Sequence, residues 1–374
     1  MRGSITHTLI AGLPLANAVM DGVFVLPLTR IKGHSAYGIQ VDVGTPPQRN
    51  VMFIDTGSAT TGVEDPNSRA CKMGSCRDYS FYDNTTSSTS VWINDKYSDQ
   101  VGDHGYGSYI NDTVTLGGHT VSNITFGTLS SFDGFDQSQP QAGIFGLGAV
   151  CREPDCRQYP TTLQQIADRG LISHRVFSMY LGPNVLNATG ELLFGGVDRA
   201  KQDGVVHTLP MRPNLSGQPN NVQITAVTLR RADSSNVTAN IPESQQMESV
   251  WDSGNPGWEI PAPVFEAALA ALGNPDKRTL AYGYEVDCKY RAVESEDVLE
   301  VTFTDGVEVE ISLDRVVGEY DGTRCITYLE TGGTGAGSLG DEFLRNVYTT
   351  FDYDAKTISF SKVRYTAMTD IQTL

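Results

Sequence analysis

Lysine is scarce, at 8 of 374 residues, and Lys and Arg together number 27 against 44 Asp and Glu, a net charge of −17. Sequence-independent binding to DNA, RNA or anionic lipid needs clustered cations. No run of them forms a stripe here, which excludes nucleic-acid partners. No apolar stretch reaches the ~18 residues of a membrane-spanning helix. HExxH and CxxC are both missing and the six histidines are scattered, so neither a metal nor another cofactor is expected. Without GxSxG there is no nucleophile elbow of the α/β-hydrolase type. A literal GxGxxG does occur at 335–340, but near the end of a strand-rich region rather than at the opening of a βαβ unit, so it does not read as a dinucleotide site. Charged residues make up only 19%, beside 38 Gly and 17 Pro; this composition belongs to a folded, loop-rich β protein, not to a disordered acidic chain.

What is present is mostly short runs of Val, Ile, Thr, Tyr and Phe broken by Gly, Asn and Pro. Residues 37–43, 50–54, 113–116, 205–209, 298–303 and 357–361 read as strands. Helical patterning is confined to 161–168, 262–272 and 341–347. The expected fold class is all-β with small helices. Six cysteines admit many connectivities; the reading taken is Cys71 with Cys76, Cys151 with Cys156 and Cys288 with Cys325. Asn84, Asn111, Asn123, Asn187, Asn214 and Asn236 each open an Asn-X-Ser/Thr sequon, and six of these with an even cysteine count fit an oxidising secretory route. The start of the chain, with Arg2, an apolar 9–13 and Ala16-Asn17-Ala18, makes 1–18 a signal-peptide candidate. The expected location is therefore extracellular, or an acidic vacuolar lumen.

An internal repeat carries the chemistry. Val51-Met52-Phe53-Ile54 leads into Asp55-Thr56-Gly57-Ser58, and Ile144-Phe145-Gly146 follows; Glu248-Ser249-Val250-Trp251 leads into Asp252-Ser253-Gly254-Asn255, and Ser338-Leu339-Gly340 follows. Asp55 lies 91 residues before Gly146, and Asp252 lies 88 before Gly340. Two related lobes are the economical reading, 19–203 and 204–374. A lone Asp-Thr-Gly is usually a turn. Two copies at matched spacing instead predict carboxylates meeting across a lobe interface. Such a pair cannot both ionise and shares one proton over a range of acid pH. One carboxylate then takes a proton from water while the other protonates a carbonyl, which is hydrolysis by general acid–base catalysis.

From about residue 37 to 363 the sequence resembles the pepsin family of aspartic peptidases, and in particular secreted fungal-type members. The resemblance rests on Gly44-Thr45-Pro46-Pro47-Gln48, both Asp motifs, 142–148, Leu193-Phe194-Gly195-Gly196-Val197-Asp198, 339–345 and Thr350-Phe351-Asp352. It implies a bilobal pepsin-like fold with a central cleft. It also implies a catalytic pair of Asp55 and Asp252, with Thr56, Gly57, Ser58, Ser253, Gly254 and Asn255 in support. The implied substrate is a polypeptide in extended conformation, cut by a monomeric endopeptidase at acid pH. Cys71–Cys76 and Cys288–Cys325 match family disulfides, and Cys151–Cys156 is an addition. A β-hairpin flap is implied too, with Tyr97 and Asp99 at the matching place and Tyr106 or Tyr109 as alternative flap tyrosines. Phe135 and Ile144, together with Phe53, match a substrate pocket; for Phe53 core packing is the equal alternative.

Four departures stand out. Asn255 replaces a hydroxyl residue, Gly62 stands in place of a tryptophan that bonds the flap tyrosine, and Ser338 replaces an apolar residue. Residues 23–30 resemble the opening strand of the family's inhibitory prosegment without the basic helix that follows it. Either no conventional zymogen is made or a piece is missing. The departures keep one rival open, a catalytically weak homologue that acts as a binding or inhibitor protein. A glycosidase is a distant third, since its two carboxylates must flank a sugar ring rather than share a proton.

Overall fold

The computed structural model describes residues 22–31, 36–74, 76, 81–98, 105–132, 142–149, 159–185, 188–213, 220–246, 249–291 and 294–374; Asp99, Phe135, Cys151, Cys156, Asn187, Asn214 and the 1–18 segment lie outside them. Among the described residues the protein is all-β with four short α-helices. Alternation sets the strands: in Tyr37–Val43, Tyr37, Ile39, Val41 and Val43 are buried while Gln40 is exposed. The helix expected from 161 runs Thr162–Asp168, because Thr161 is its cap and accepts a bond from the Gln164 N–H at 3.2 Å. The helix Ala262–Ala271 buries Val264, Phe265, Ala268 and Leu269 along one face. The helical reading of 341–347 overruns: the helix is Asp341–Leu344, and the β-branched and aromatic run that follows forms the strand Val347–Asp352.

Thirteen strands form one large sheet. From one edge it runs Gln202–Pro210, Thr357–Val363, Val347–Asp352, Val176–Tyr180, Thr189–Phe194, Phe24–Arg30, Tyr37–Val43 and Gln48–Asp55. It continues through Gly143–Gly146, Gly62–Glu64, His119–Phe132, Gly105–Leu116 and Val91–Ser98. The last strands of the chain therefore complete a sheet begun by the first. Phe24–Arg30, which resembles the start of a prosegment, is an integral strand here. It pairs with Thr189–Phe194, stacks Phe24 on Phe194 at 4.9 Å and buries Leu26 and Leu28.

Each half repeats one local topology. Gln48–Asp55 runs parallel to Gly143–Gly146, with Ile54 opposite Phe145 and Asp55 opposite Gly146. Ser249–Trp251 runs parallel to Ser338–Leu339, with Trp251 opposite Leu339. The second pair lies in a five-stranded sheet with Asn221–Val222, Trp258–Ile260 and Leu329–Thr331. The glycine-rich run at 335–340 thus supplies a two-residue strand and the cap of a four-residue helix, not a phosphate-binding turn.

Trp251 and Trp258 are fully buried in the continuous core, both packed edge-on against Phe343 at 5.3 Å. Disulfides join Cys71 to Cys76 and Cys288 to Cys325, with Cα atoms 4.9 and 5.2 Å apart. The core also holds an ion pair: Arg345 Nη2 lies 2.7 Å from Glu342 Oε2, which also accepts the Tyr328 N–H at 3.2 Å, and both charged side chains are shut off from solvent. Removing one partner strands the other charge. Arg345→Met should cost about 3–5 kcal/mol in urea unfolding, and pairing it with Glu342→Leu should restore much of the loss. A double variant as unstable as the single one would show that packing, not the stranded charge, sets the cost.

Candidate active site

Asp55 ends the strand Gln48–Asp55 and Asp252 follows the strand Ser249–Trp251, so both carboxylates leave the ends of equivalent strands. A reciprocal set of hydroxyl bonds locks the two turns together. Thr56 Oγ1 donates to the Trp251 carbonyl at 2.7 Å and accepts the Ser253 N–H at 2.9 Å. Ser253 Oγ donates to the Ile54 carbonyl at 3.0 Å and accepts the Thr56 N–H at 3.1 Å. Both hydroxyls are buried, so each satisfies two groups of the opposite half that water cannot reach. The glycines then let the carboxylates cross over. A Cβ on Gly57 would stand 2.5 Å from Asp252 Oδ1, and one on Gly254 would stand 2.5 Å from Asp55 Oδ1. Any side chain at either position would push the opposite carboxylate away.

Both aspartates accept a glycine N–H on Oδ1, but Asp55 receives two further donors. Asp55 Oδ1 accepts the Gly57 N–H at 2.8 Å and the Ser58 N–H at 3.2 Å, and Ser58 Oγ donates to Oδ2. Asp252 Oδ1 accepts the Gly254 N–H at 2.9 Å. Asn255, in the place of Ser58, turns its carbonyl oxygen to the Gly257 N–H at 2.8 Å instead. Burial raises the pKa of both carboxyls. At Asp252 the charge of Asp55 adds to that rise and the Gly254 N–H opposes it. At Asp55 the bonds from Ser58, Asp252 and Gly57 pull back against it. Asp55 receives more donors to its charged form than Asp252, which favours ionisation at Asp55 within a pair that shares one proton.

A support absent from the sequence reading lies behind Asp55. Asn220 Nδ2 donates to the Thr56 carbonyl at 2.6 Å and to Tyr353 Oη at 3.0 Å, while Tyr353 donates to the Leu147 carbonyl at 2.6 Å. Asn220 stands in an irregular segment without motif, so nothing in the sequence pointed to it. Tyr97 is 2% exposed, with its ring against Gly62 and Gly127 and edge-on to Tyr109 at 5.3 Å. A Cβ on Gly62 would lie 2.5 Å from its hydroxyl, so the tyrosine fills the slot that the missing tryptophan leaves. Of the alternatives, Tyr109 is buried in the same cluster and Tyr106 is 40% exposed. Ile144 is buried on the Gly143–Gly146 strand opposite Phe53, which packs in a small cluster with Ile31 and Ala142. The hairpin beneath is anchored by buried Asp112, which accepts hydroxyl bonds from Tyr82, Ser87 and Thr89. Among the sequons Asn123 and Asn236 are exposed, and Asn84 and Asn111 are half-buried.

The family model for eukaryotic aspartyl proteases matches residues 36–363. The chain belongs to that family. Among curated relatives of this aspartyl protease, candidapepsin of Candida tropicalis is 27% identical over 93% of this chain and 84% of its own. Secreted aspartic protease 8 of Candida albicans is 28% identical over 91% and 78%. The probable aspartic-type endopeptidase opsB of Aspergillus fumigatus is 27% identical over 89% and 70%.

The site carries a cost that depends on pH. Asp252 binds its proton more tightly folded than unfolded, where an Asp titrates near ~3.9. Its contribution to stability is therefore complete below that value and is lost as pH rises through the folded pKa. Asp252→Asn should leave the melting temperature near its wild-type value at about pH 3 and raise it by several degrees at about pH 7. A melting difference that is flat across this range in thermal scans would contradict the assignment of the proton.

Proposed function

We propose that the protein is a secreted aspartic endopeptidase that hydrolyses peptide bonds at acid pH through Asp55 and Asp252. The observation that carries the reading is the buried hydroxyl grip, which holds the two carboxyls together across two glycines. Asp55 is the base. As a water oxygen attacks the scissile carbonyl, Asp55 accepts a water proton and the Asp252 proton passes to the carbonyl oxygen. The resulting gem-diol collapses as a hydroxyl proton returns to the dyad and the leaving nitrogen takes the other, which breaks the C–N bond. No covalent enzyme intermediate forms. The substrate runs extended across the dyad and meets one monomeric chain whose halves divide near 203/204. The two disulfides, the sequons and the secreted relatives support a secretory route.

Digestion of a denatured protein at acid pH, blocked by a statine-type transition-state mimic, tests the reading directly. Asp55→Asn and Asp252→Asn should each lower kcat/KM by at least about 10³-fold. The double variant should be scarcely worse than either, because the pair acts as one unit. Near wild-type turnover in either single variant would refute the assignment. An inert wild type would favour the weak-homologue reading instead.

Asn255 offers a finer test. A hydroxyl there would donate to Asp252, as Ser58 does to Asp55, and would stabilise its ionised form. Asn255→Ser should therefore move the alkaline limb of the pH–rate profile to lower pH by about half a unit or more, with the acid limb little changed. Movement of the alkaline limb upward would show that Asn255 already stabilises the charge.

A further inference from the structure

The two halves obey one local symmetry, and departures from it mark what each side of the dyad does. Gly62 and Glu259 each lie seven residues after their aspartate. Gly62 sits opposite Ile144, and Trp258 opposite Leu339 brings Glu259 opposite Ser338. On the other edge Gly62 pairs with Gly127, and Glu259 with Glu330. The equivalent positions are thus Gly62, Gly127 and Ile144 on the first side, and Glu259, Glu330 and Ser338 on the second. The first side is stripped to backbone and covered by the ring of Tyr97. On the second, Trp258 and Leu329 point into the core, so Glu259 and Glu330 project from the opposite face and remain half-buried.

Three features show a site built for something it does not itself contain. Among the described residues, no lysine, arginine or histidine pairs with either glutamate. Gly257 and Gly337 make room for the carboxylates, since a Cβ on either would run into Glu330 or Glu259. Ser338 is 6% exposed, and its Oγ, on the same face as Glu259, has no hydrogen-bond partner among the described residues; its N–H donates to Glu259 Oε2 at 3.3 Å. A buried hydroxyl without a partner is uncommon enough to need a reason. The place is also beside the chemistry, because the carbonyl of Leu339, next to Ser338, accepts the Asp252 N–H at 3.3 Å; burial and then the charge of Glu259 raise the pKa of Glu330.

We propose that Glu259, Glu330 and Ser338 form a subsite for a cationic substrate side chain, lysine or arginine at a residue flanking the scissile bond. The inference rests on the peptidase reading above. An ammonium or guanidinium group carries enough donors to bond both carboxylates and the Ser338 oxygen, and it brings the charge that the glutamates lack. The cation replaces like-charge repulsion with charge-assisted bonds.

The test is a set of peptides alike except for Lys, Arg, norleucine or Glu at each position flanking the scissile bond, assayed at about pH 5 and again at about pH 6.5, so that a glutamate raised above its ordinary pKa is also ionised. At one position kcat/KM for Lys or Arg should exceed that for norleucine by about tenfold or more, with Glu poorest. In Glu259→Gln/Glu330→Gln the Lys-to-norleucine ratio should fall to about one. A wild-type ratio near one, or a ratio unchanged in the variant, overturns the subsite. Cleavage of the norleucine peptide keeps the peptidase reading intact in either case. If no peptide is cut, reduced-bond analogues titrated calorimetrically decide: tighter binding of the Lys analogue than of the norleucine analogue supports the subsite, and equal binding rejects it.

Discussion

Two carboxylates out of water and in contact resist being together, and much of the centre of this protein exists to overcome that resistance. Unit charges about 4 Å apart repel by about 4 kcal/mol at an effective dielectric of about 20. One proton removes the repulsion, provided that the backbone holds the pair close enough to share it. The Thr56 and Ser253 hydroxyls do that holding with four bonds, each worth about 1 kcal/mol. Gly57 and Gly254 supply the room. A chain that needs both a buried hydroxyl and a bare glycine beside each aspartate has little sequence freedom there, which is why the motif is short and occurs twice.

The symmetry is kept where proton sharing requires it and abandoned elsewhere. At the grip the halves match bond for bond. Two residues further on, Ser58 donates to its aspartate while Asn255 serves the Gly257 N–H, so the two carboxyls meet different donors. Four residues beyond that, Gly62 leaves a slot for Tyr97 where Glu259 projects a charge. A perfectly two-fold site would have no preferred direction for the proton and no means of telling one end of a peptide from the other.

Much of this was legible in the sequence because it rests on spacing. The paired Asp motifs and the Gly-terminated strands came at matched distances, and the segments 37–43 and 298–303 are strands to the residue. Features set by contacts across the chain were not legible. Glu259 and Glu330 are 71 residues apart and on three-residue strands, so no periodicity links them. Asn220 is separated by 164 residues from the Thr56 carbonyl it supports. For Tyr97, the motif placed the residue but not the direction of its ring, which depends on two glycines in other strands. Residues 23–30 were legible as a strand, but its place between Thr189–Phe194 and Tyr37–Val43 was not, since apolar alternation does not name the partners.

The turn that holds Asn255 is tied to the helix that carries the buried ion pair. The Asn255 carbonyl accepts the Asp341 N–H at 2.8 Å, and the Pro256 carbonyl accepts that of Glu342 at 3.2 Å. The turn after Asp252 is thus bound to the first turn of the Asp341–Leu344 helix, whose Glu342 pairs with Arg345 at its own C-terminal end. Gly340 lets the two segments touch, since a Cβ there would strike the Asn255 and Gly257 carbonyls. Asn255 closes the turn through its own side chain onto the Gly257 N–H, and the Gly254 N–H is what meets the Asp252 carboxylate. The same turn sets Gly257 under Glu330. One stretch of backbone, 252 to 259, thereby carries the N–H that meets Asp252, the glycine that lies against Glu330 and Glu259 itself, so a shift in that backbone reaches both the aspartate and the glutamates beside it.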